Sequence, residues 1–199
     1  GWSMMHSFVS TAPWFLFFIA IERLGEVQLA VSNITRSVST LFFVIVNSFG
    51  ATTASLVSNL IGEGKGAQLF PLCRKILKLG YAIGLPLIVL ALLFSRQIMG
   101  CYTDNTRLIE IASTPFIVML LNYLFAVPGF VYISALTGTG DTRTAFIFQV
   151  TTIIVYLIYL YVLSYCFTTP LAIYLTAEYV FVAMLGIQSY IYLKRKQIY

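Results

Sequence analysis

The stretch VSNITRSVSTLFFVIVNSFGATTASLVSNLI (31–61) decides the fold, because it carries a single charged side chain, Arg36. A helix that spans a membrane needs about 20 predominantly apolar residues. The stretch therefore predicts a membrane helix that is too long for a straight crossing. Such a helix must tilt or project beyond the bilayer.

The composition of the whole chain agrees with a membrane location. Hydrophobic residues make up 59% of the 199 residues and charged residues only 10%, and the mean hydropathy is +0.90. Soluble domains carry about 25% charged residues. The net charge of +5 does not indicate nucleic-acid binding, because the basic residues lie between apolar runs. The lipid bilayer is thus the predicted surrounding, and no nucleic-acid partner is expected.

Hydrophobic runs long enough to cross a bilayer occur six times. The runs are too long for the tilted strands of a membrane barrel, and they lack in/out alternation. The predicted fold is therefore all-α and polytopic, with residues 1–199 forming one six-helix transmembrane unit. The predicted spans are 4–22, 31–61, 76–95, 108–135, 144–166 and 171–193.

Basic residues are unevenly shared between the two sets of connecting segments. The positive-inside rule places the richer set in the cytoplasm. With six crossings, both ends of this chain are then predicted to be cytoplasmic. The richer set comprises Lys65, Arg74, Lys75, Lys78, Arg143, Lys194, Arg195 and Lys196.

Two of the predicted cytoplasmic loops mix glycines with opposite charges: GEGKG (62–66) and GTGDTR (138–143). Neither has the spacing of a phosphate-binding loop or of a dinucleotide fingerprint. We predict that each loop is a glycine cap that ends a membrane helix, with charges that hold the next turn.

Polar residues inside the spans recur at helical spacing. Such stripes predict an internal hydrated or ligand-binding surface, and hydrogen bonds between packed helices are the alternative. In span five the stripe also includes Tyr159, and in span two it includes Ser37 and Ser58. The candidate cleft residues are Ser10, Trp14, Asn33, Arg36, Thr40, Asn47, Asn122, Gln149, Thr152 and Tyr156.

Nothing in the chain indicates an enzyme. The sequence has no cluster of His, Cys and Asp at metal-ligand spacing, no GxSxG and no HExxH. No metal or cofactor is therefore predicted. His6, the single histidine, is expected to be a packing or interface residue, with proton carriage as the alternative. Glu178, near the start of span six, is expected to be hydrated or paired, with a proton relay as the alternative.

Three motifs in order resemble the multidrug and toxic compound extrusion (MATE) transporters. The first is a helix ending in LGE and followed by LA-SN, within WFLFFIAIERLGEVQLAVSNITRSV (14–38). The second is GATTASLVSNLIGEGK (50–65), where a helix leaves the membrane. The third is LTGTGDTRTA (136–145), two helices later. Their order and spacing are similar to those of the seventh to tenth helices of that family.

This resemblance implies twelve helices in two six-helix lobes, with a substrate cleft between the lobes. The present chain would be the C-terminal lobe, and the N-terminal lobe of the same polypeptide would be its partner. The implied activity is multidrug antiport: cationic or amphipathic organic compounds and other xenobiotics leave through the bacterial inner membrane, driven by entry of Na⁺ or H⁺.

The chain departs from the family at one position. Many members carry an acidic residue in the tenth helix, and counting back from GTGDT that position falls near Ala126. No mid-membrane acid occupies the first span either. A lipid-linked oligosaccharide flippase of the same superfamily is one alternative, although such flippases usually have more arginines in the cleft. A non-transporting membrane scaffold is the other.

Arg36 leaves two interpretations open. It either faces the cleft and pairs with an acid or a substrate, or it extends to the outer interface near Glu22 or Glu26. Because like charges repel, a structural ion pair is a better expectation than direct contact with a cationic compound.

Overall fold

A computed structural model describes residues 17, 19, 21–22, 25–166 and 170–196. These residues contain helices and no strand, which confirms the all-α fold. The helices are α1 (Glu26–Gly62), α2 (Leu69–Leu93), α3 (Ser95–Gly100), α4 (Thr106–Leu121), α5 (Tyr123–Gly138), α6 (Thr142–Cys166), α7 (Leu171–Tyr174) and α8 (Thr176–Lys196), and a 3₁₀ turn, Gly66–Gln68, precedes α2.

Five helical segments in the described part of the chain are long and apolar enough to cross a membrane. They overlap the last five predicted spans, although the second of the five begins ten residues earlier than predicted. The first predicted span, 4–22, lies mostly outside the described residues. The long stretch that opened the sequence forms α1, which has 37 residues. At 1.5 Å per residue its length is about 55 Å, whereas the hydrocarbon core is about 30 Å thick.

Helix α5 is the centre of the bundle. It packs most extensively against α1 on one side and α8 on the other, and it also contacts α2, α4 and α6. Helix α6 packs on α8, and α4 packs on α1. Residues from five helices therefore face one another around α5.

Small residues let the neighbours of α5 approach closely. A Cβ atom on Gly138 would lie 2.5 Å from the backbone oxygen of Ala54, and one on Gly50 would lie 2.9 Å from Ser134 Oγ. Across α5 and α8, a Cβ atom on Gly129 would lie 2.6 Å from the backbone oxygen of Val182. Such small-residue contacts are typical of membrane helices, which associate by van der Waals packing.

The fourth predicted span, 108–135, lies within α4 and α5, which are separated only by Asn122, a residue whose own backbone angles remain helical. Pro128 and Gly129, a pair that predicts a kink or a close helix contact, lie inside α5, and Gly129 makes such a contact with Val182 of α8. Pro128 lies inside α5 and has no N–H to donate to Leu124 O, the carbonyl four residues earlier. The Tyr81 hydroxyl of α2 donates to Leu124 O instead, at 2.6 Å. Asn122 N–H still donates to Val118 O, which also accepts the Tyr179 hydroxyl from α8.

One face of α1 is exposed along its whole length. The exposed positions recur every three or four residues, so they form a single stripe of small and polar side chains. This stripe comprises Asn33, Ser37, Thr40, Val44, Asn47, Ala51, Ser55 and Ser58. The other face is buried against the bundle, with Val31, Val38, Val46 and Val57 in the core.

The GEGKG loop is a glycine cap, as predicted. Gly64 has φ +70. Its N–H donates to Ile61 O at 3.0 Å, and the Lys65 N–H donates to Leu60 O at 2.9 Å. These two bonds define a Schellman motif, which satisfies the last carbonyls of a helix.

The GTGDTR loop is also a glycine cap, and Asp141 in it is bonded to the end of α8. Gly140 has φ +87. Asp141 Oδ1 accepts the Thr144 N–H at 3.2 Å, while Oδ2 accepts the Tyr192 hydroxyl at 2.7 Å and Lys196 Nζ at 2.8 Å. The bonds from Lys196 and Tyr192 hold the pKa of Asp141 well below its usual range. Asp141 therefore fastens the loop before α6 to the end of α8.

We expect Asp141→Asn to destabilise the protein by about 1 kcal/mol at neutral pH, because a charge-assisted bond at a partly exposed site is lost. A lowered pKa in the folded state means that the stabilisation is present above the ordinary value of 3.8 and is lost as the pH falls further. The melting temperatures of variant and wild type should thus differ at pH 7 and begin to converge only as the pH falls below about 4.

Glu63→Gln is the control for this prediction. Glu63 pairs with Lys65 at 2.7 Å in the other glycine loop, but both side chains are more than half exposed. Exposed pairs contribute little, so no change in melting temperature is expected at any pH. Equal shifts in the two variants would contradict the role of Asp141.

Candidate functional site

The candidate site is a cavity of about 530 Å³ inside the bundle, bounded by α1, α4, α5, α6 and α8. Leu120, Asn122 and Tyr123 line it at the junction of α4 and α5. Ligand sites of 300–1,000 Å³ are common between the helices of bundles. The volume is therefore sufficient for a drug-sized molecule.

Six aromatic side chains from four helices line the cavity. Phe43 of α1 meets Phe130 of α5 edge to face, with ring centroids 5.3 Å apart. Tyr156 of α6 meets Phe181 of α8 in the same way at 5.8 Å. Phe42 also meets Tyr123 edge to face at 6.2 Å. Edge-to-face contacts fix the orientation of the rings, so the wall is preorganised for a flat apolar ligand.

A few polar groups interrupt this wall. Asn47 Nδ2 donates a hydrogen bond to Phe43 O at 2.9 Å. Asn122 Oδ1 is buried and has no hydrogen-bond partner among the described residues. Glu178 carries the one charge among the residues that line the cavity within the described part of the chain. The cavity thus combines a large apolar surface with a small number of acceptor oxygens.

Glu178 belongs to a charged cluster with Tyr156 and Arg36. The Tyr156 hydroxyl donates to Glu178 Oε1 at 3.4 Å, and both residues line the cavity. Arg36 of α1 lies within electrostatic range of Glu178 of α8 and of Tyr156 of α6. Glu178 therefore combines a hydrogen bond from Tyr156 with the electrostatic influence of Arg36, and ionisable side chains inside a membrane most often serve function.

Arg36 is buried, with 6% of its surface exposed. Its guanidinium carbon lies 5.0 Å from the centroid of the Phe17 ring, a cation–π contact. The side chain lies behind the cavity wall and is not among the lining residues. Of the two interpretations of Arg36, extension to the outer interface is therefore the one that the structure does not support.

The structure places the predicted cleft residues in three groups. Four of them line the cavity: Asn47, Asn122, Gln149 and Tyr156. Four others do not line it: Asn33 and Thr40 are exposed on the stripe of α1, Arg36 is buried, and Thr152 is buried with its hydroxyl donating to Phe148 O. The remaining two, Ser10 and Trp14, lie outside the described residues.

Of the aromatic wall, sequence reasoning named only Tyr156, and it missed the phenylalanines and the position of Glu178. An acidic residue within a membrane span is a signal of function by default, and Glu178 follows the start of its span by only a few residues. That short distance suggested an interfacial side chain. The aromatic residues gave no signal, because Phe and Tyr are abundant throughout the chain.

The described residues contain no group of three or more His, Cys, Asp or Glu side chains that could hold a metal ion.

Comparison with known proteins then identifies the fold. A family model for MatE matches residues 3–162. No curated protein matches the chain by sequence.

Solved structures with the same fold are MATE and MOP superfamily transporters. An outward-facing multidrug resistance MATE family transporter superposes with a TM-score of 0.85 at 17% identity, covering 98% of this chain and 44% of that one. A MATE in complex with MaL6 gives 0.81 at 17% identity, covering 94% and 43%. A MOP superfamily transporter from Pyrococcus furiosus gives 0.78 at 18% identity, covering 94% and 41%.

The chain spans less than half the length of these solved proteins, which is consistent with one lobe of a two-lobe transporter. The matched residues 3–162 include the three motifs that indicated the family. Family, fold and membrane helices agree: the chain belongs to the MatE family of multi-pass membrane transporters and is not an enzyme.

Proposed function

We propose that this chain is the C-terminal lobe of a secondary transporter that exports cationic or amphipathic organic compounds in exchange for Na⁺ or H⁺. The cavity carries this proposal, since aromatic walls with one carboxylate suit an organic compound that has an apolar body and a positive pole. An N-terminal lobe of the same polypeptide would cover the exposed stripe of α1. Both lobes would share the substrate pathway.

The charge of the cavity favours export of such compounds over movement of lipid-linked sugars. A pathway for anionic pyrophosphate-linked lipids needs cationic side chains, because phosphates are bound by Arg and Lys. No arginine or lysine is among the described residues that line the cavity. A scaffold without transport would not need a cavity of this size.

The basic residues support a cytoplasmic position for the two glycine loops. Gly138 packs beside Ala54 and Val57 near the end of α1, and Asp141 binds Lys196 at the end of α8. The loops after α1 and α5 and the end of α8 therefore share one side of the bundle. With these positive charges inside, we place the protein in the bacterial inner membrane with both ends of this chain in the cytoplasm.

Ethidium efflux tests the proposal in cells that express the natural full-length protein and lack their own exporters. Wild-type protein should lower ethidium accumulation, and Glu178→Gln should slow efflux by about tenfold, since loss of the attraction between one carboxylate and one cation is worth about 1.4 kcal/mol or more at low dielectric. Glu110→Gln, the same change on an exposed residue of α4, is the matched control.

Equal efflux by Glu178→Gln and wild type at equal expression would contradict the role of the cavity. Absence of efflux by the wild-type protein would contradict the exporter. The coupling ion is tested with the purified full-length protein in proteoliposomes, where an imposed Na⁺ or pH gradient should drive ethidium movement.

A further inference from the structure

The cavity is elongated along the helices that bound it, and many of its polar groups lie near its two ends. On α5 and the residue before it, the lining runs from Asn122 to Thr137, which is about 22 Å along the helix axis. On α6 it runs from Gln149 to Tyr156, which is about 10 Å. A ligand that reaches both ends must therefore be elongated as well.

One end of the cavity, the carboxylate end, holds Asn122, Tyr156 and Glu178. The Tyr156 hydroxyl donates to Glu178 Oε1 at 3.4 Å. Tyr179, the next residue of α8, donates from its hydroxyl to Val118 O, one helical turn before Asn122. Asn122 Oδ1 is buried without a hydrogen-bond partner among the described residues. This end therefore offers acceptor oxygens to a protonated amine.

The other end, the neutral end, holds Ser134, Thr137 and Gln149. The Thr137 hydroxyl donates to Ile133 O at 2.9 Å, so its oxygen can still accept a hydrogen bond. The Ser134 hydroxyl can donate and accept. No arginine or lysine is among the described residues that line the cavity, so a carboxylate here would lack a cationic partner. This end therefore suits a neutral hydrogen-bonding group, such as an amide or a hydroxyl.

An aromatic section separates the two ends. Phe130 lies between Asn122 and Ser134 along the chain, and these two residues are about 18 Å apart along the helix axis. Phe43 of α1 packs against Phe130 with ring centroids 5.3 Å apart. The order along the cavity is thus a carboxylate, aromatic rings and then uncharged polar groups.

We propose that the cavity selects elongated compounds with two different polar ends, a protonated amine at the carboxylate end and a neutral hydrogen-bonding group about 10–18 Å away at the neutral end. An aromatic body would join the two groups. This inference rests on the proposed function, because it assumes that the transported compound occupies the cavity. A compound with the positive pole alone would place apolar surface against the neutral end, which costs binding free energy.

Isothermal titration calorimetry on the purified full-length protein tests this inference with two matched pairs of probes. The long pair is an aminomethylbiphenyl that carries either a carboxamide or a methyl group at the far end. The short pair is a benzylamine with the same two groups, whose carboxamide is too close to the amine to reach the neutral end. In the long pair, the carboxamide should bind about fivefold more tightly than the methyl compound, because it gains a hydrogen bond. In the short pair, it should bind no more tightly.

The double variant Ser134→Ala/Thr137→Val removes both hydroxyls of the neutral end. It should bring the two affinities of the long pair to within about twofold of each other. Glu178→Gln is the matched change at the carboxylate end. It should weaken both members of the long pair by about tenfold and leave their ratio near five.

Equal affinities within the long pair in wild type would overturn the inference, and so would an equal preference for the carboxamide in both pairs. These comparisons use wild type alone, so they stand even if the double variant does not fold. A fivefold ratio that persists in a folded double variant would overturn the inference too.

Ala126→Trp separates these outcomes from failure of the proposed function. Ala126 lines the cavity, so a tryptophan there should fill it and abolish binding of both members of the long pair. If no probe binds to wild type, or if binding survives Ala126→Trp, the proposed function fails together with the inference. If Ala126→Trp abolishes binding but wild type does not prefer the long carboxamide, the inference alone is overturned.

Discussion

Replacing Gly129 with alanine should destabilise the protein by about 3 kcal/mol or more, the largest effect we expect from a single methyl group. The added Cβ would lie 2.6 Å from Val182 O, a backbone atom of α8 that cannot rotate away. On the opposite helix, a Cβ on Gly186 would meet Gly129 Cα at 2.9 Å. The crossing of α5 and α8 therefore has no room for a side chain on either helix.

Thermal unfolding of the purified full-length protein in detergent, followed by size-exclusion fluorescence, measures this effect. Gly62→Ala is the matched control: Gly62 is also helical, but a Cβ there would meet nothing within 4 Å. Because alanine favours a helix over glycine by up to about 1 kcal/mol, the control should be neutral or stabilising. Similar melting temperatures for the two variants would show that α5 and α8 do not cross as described.

Tyr81→Phe should cost about 1–3 kcal/mol, although it removes only one oxygen atom. Pro128 cannot donate to Leu124 O, and the Tyr81 hydroxyl takes its place at 2.6 Å. Without that hydroxyl, a carbonyl in the membrane interior is left without its donor, where water cannot replace it. The same thermal assay should therefore report a clear loss of stability.

Tyr123→Phe provides a demanding comparison. Its hydroxyl joins the same two helices, α5 and α2, by donating to Gly80 O at 3.0 Å. Gly80 lies inside an unbroken helix, where the N–H of residue 84 is the ordinary partner of its carbonyl. Removing this hydroxyl leaves no carbonyl without a donor, so the loss should be smaller than for Tyr81→Phe. The reverse order would show that Pro128 does not determine the cost.

The helical fold could be predicted because apolar length alone requires it. A run such as 31–61 has no alternative to a membrane helix, and GEGKG and GTGDTR contain the glycines that cap one. The role of Tyr81 could not be predicted in the same way. Pro128 leaves Leu124 O without its helical donor, and the Tyr81 hydroxyl that replaces this donor is distant in sequence and close only in the folded bundle.

The cavity was predictable in part for the same reason. Asn47, Gln149 and Tyr156 lie on polar helix faces that a periodic pattern reveals, and they do line the cavity. The pattern does not tell whether a polar face meets the cavity or remains exposed, as Asn33 and Thr40 do. Nor does it reveal that Tyr156 and Glu178, on different helices, are hydrogen-bonded at the cavity wall.

The length of α1 gives it a mechanical property. Gly50 and Ala54, where α1 packs closely on α5, lie well away from its middle. From the midpoint of these two residues the helix extends about 39 Å towards Glu26 but only about 15 Å towards Gly62. A tilt about this point therefore displaces the far end about 2.6 times as much as the end at the glycine loop. In a rigid rod of these proportions, a small movement beside Gly64 is geometrically amplified on the opposite side of the membrane.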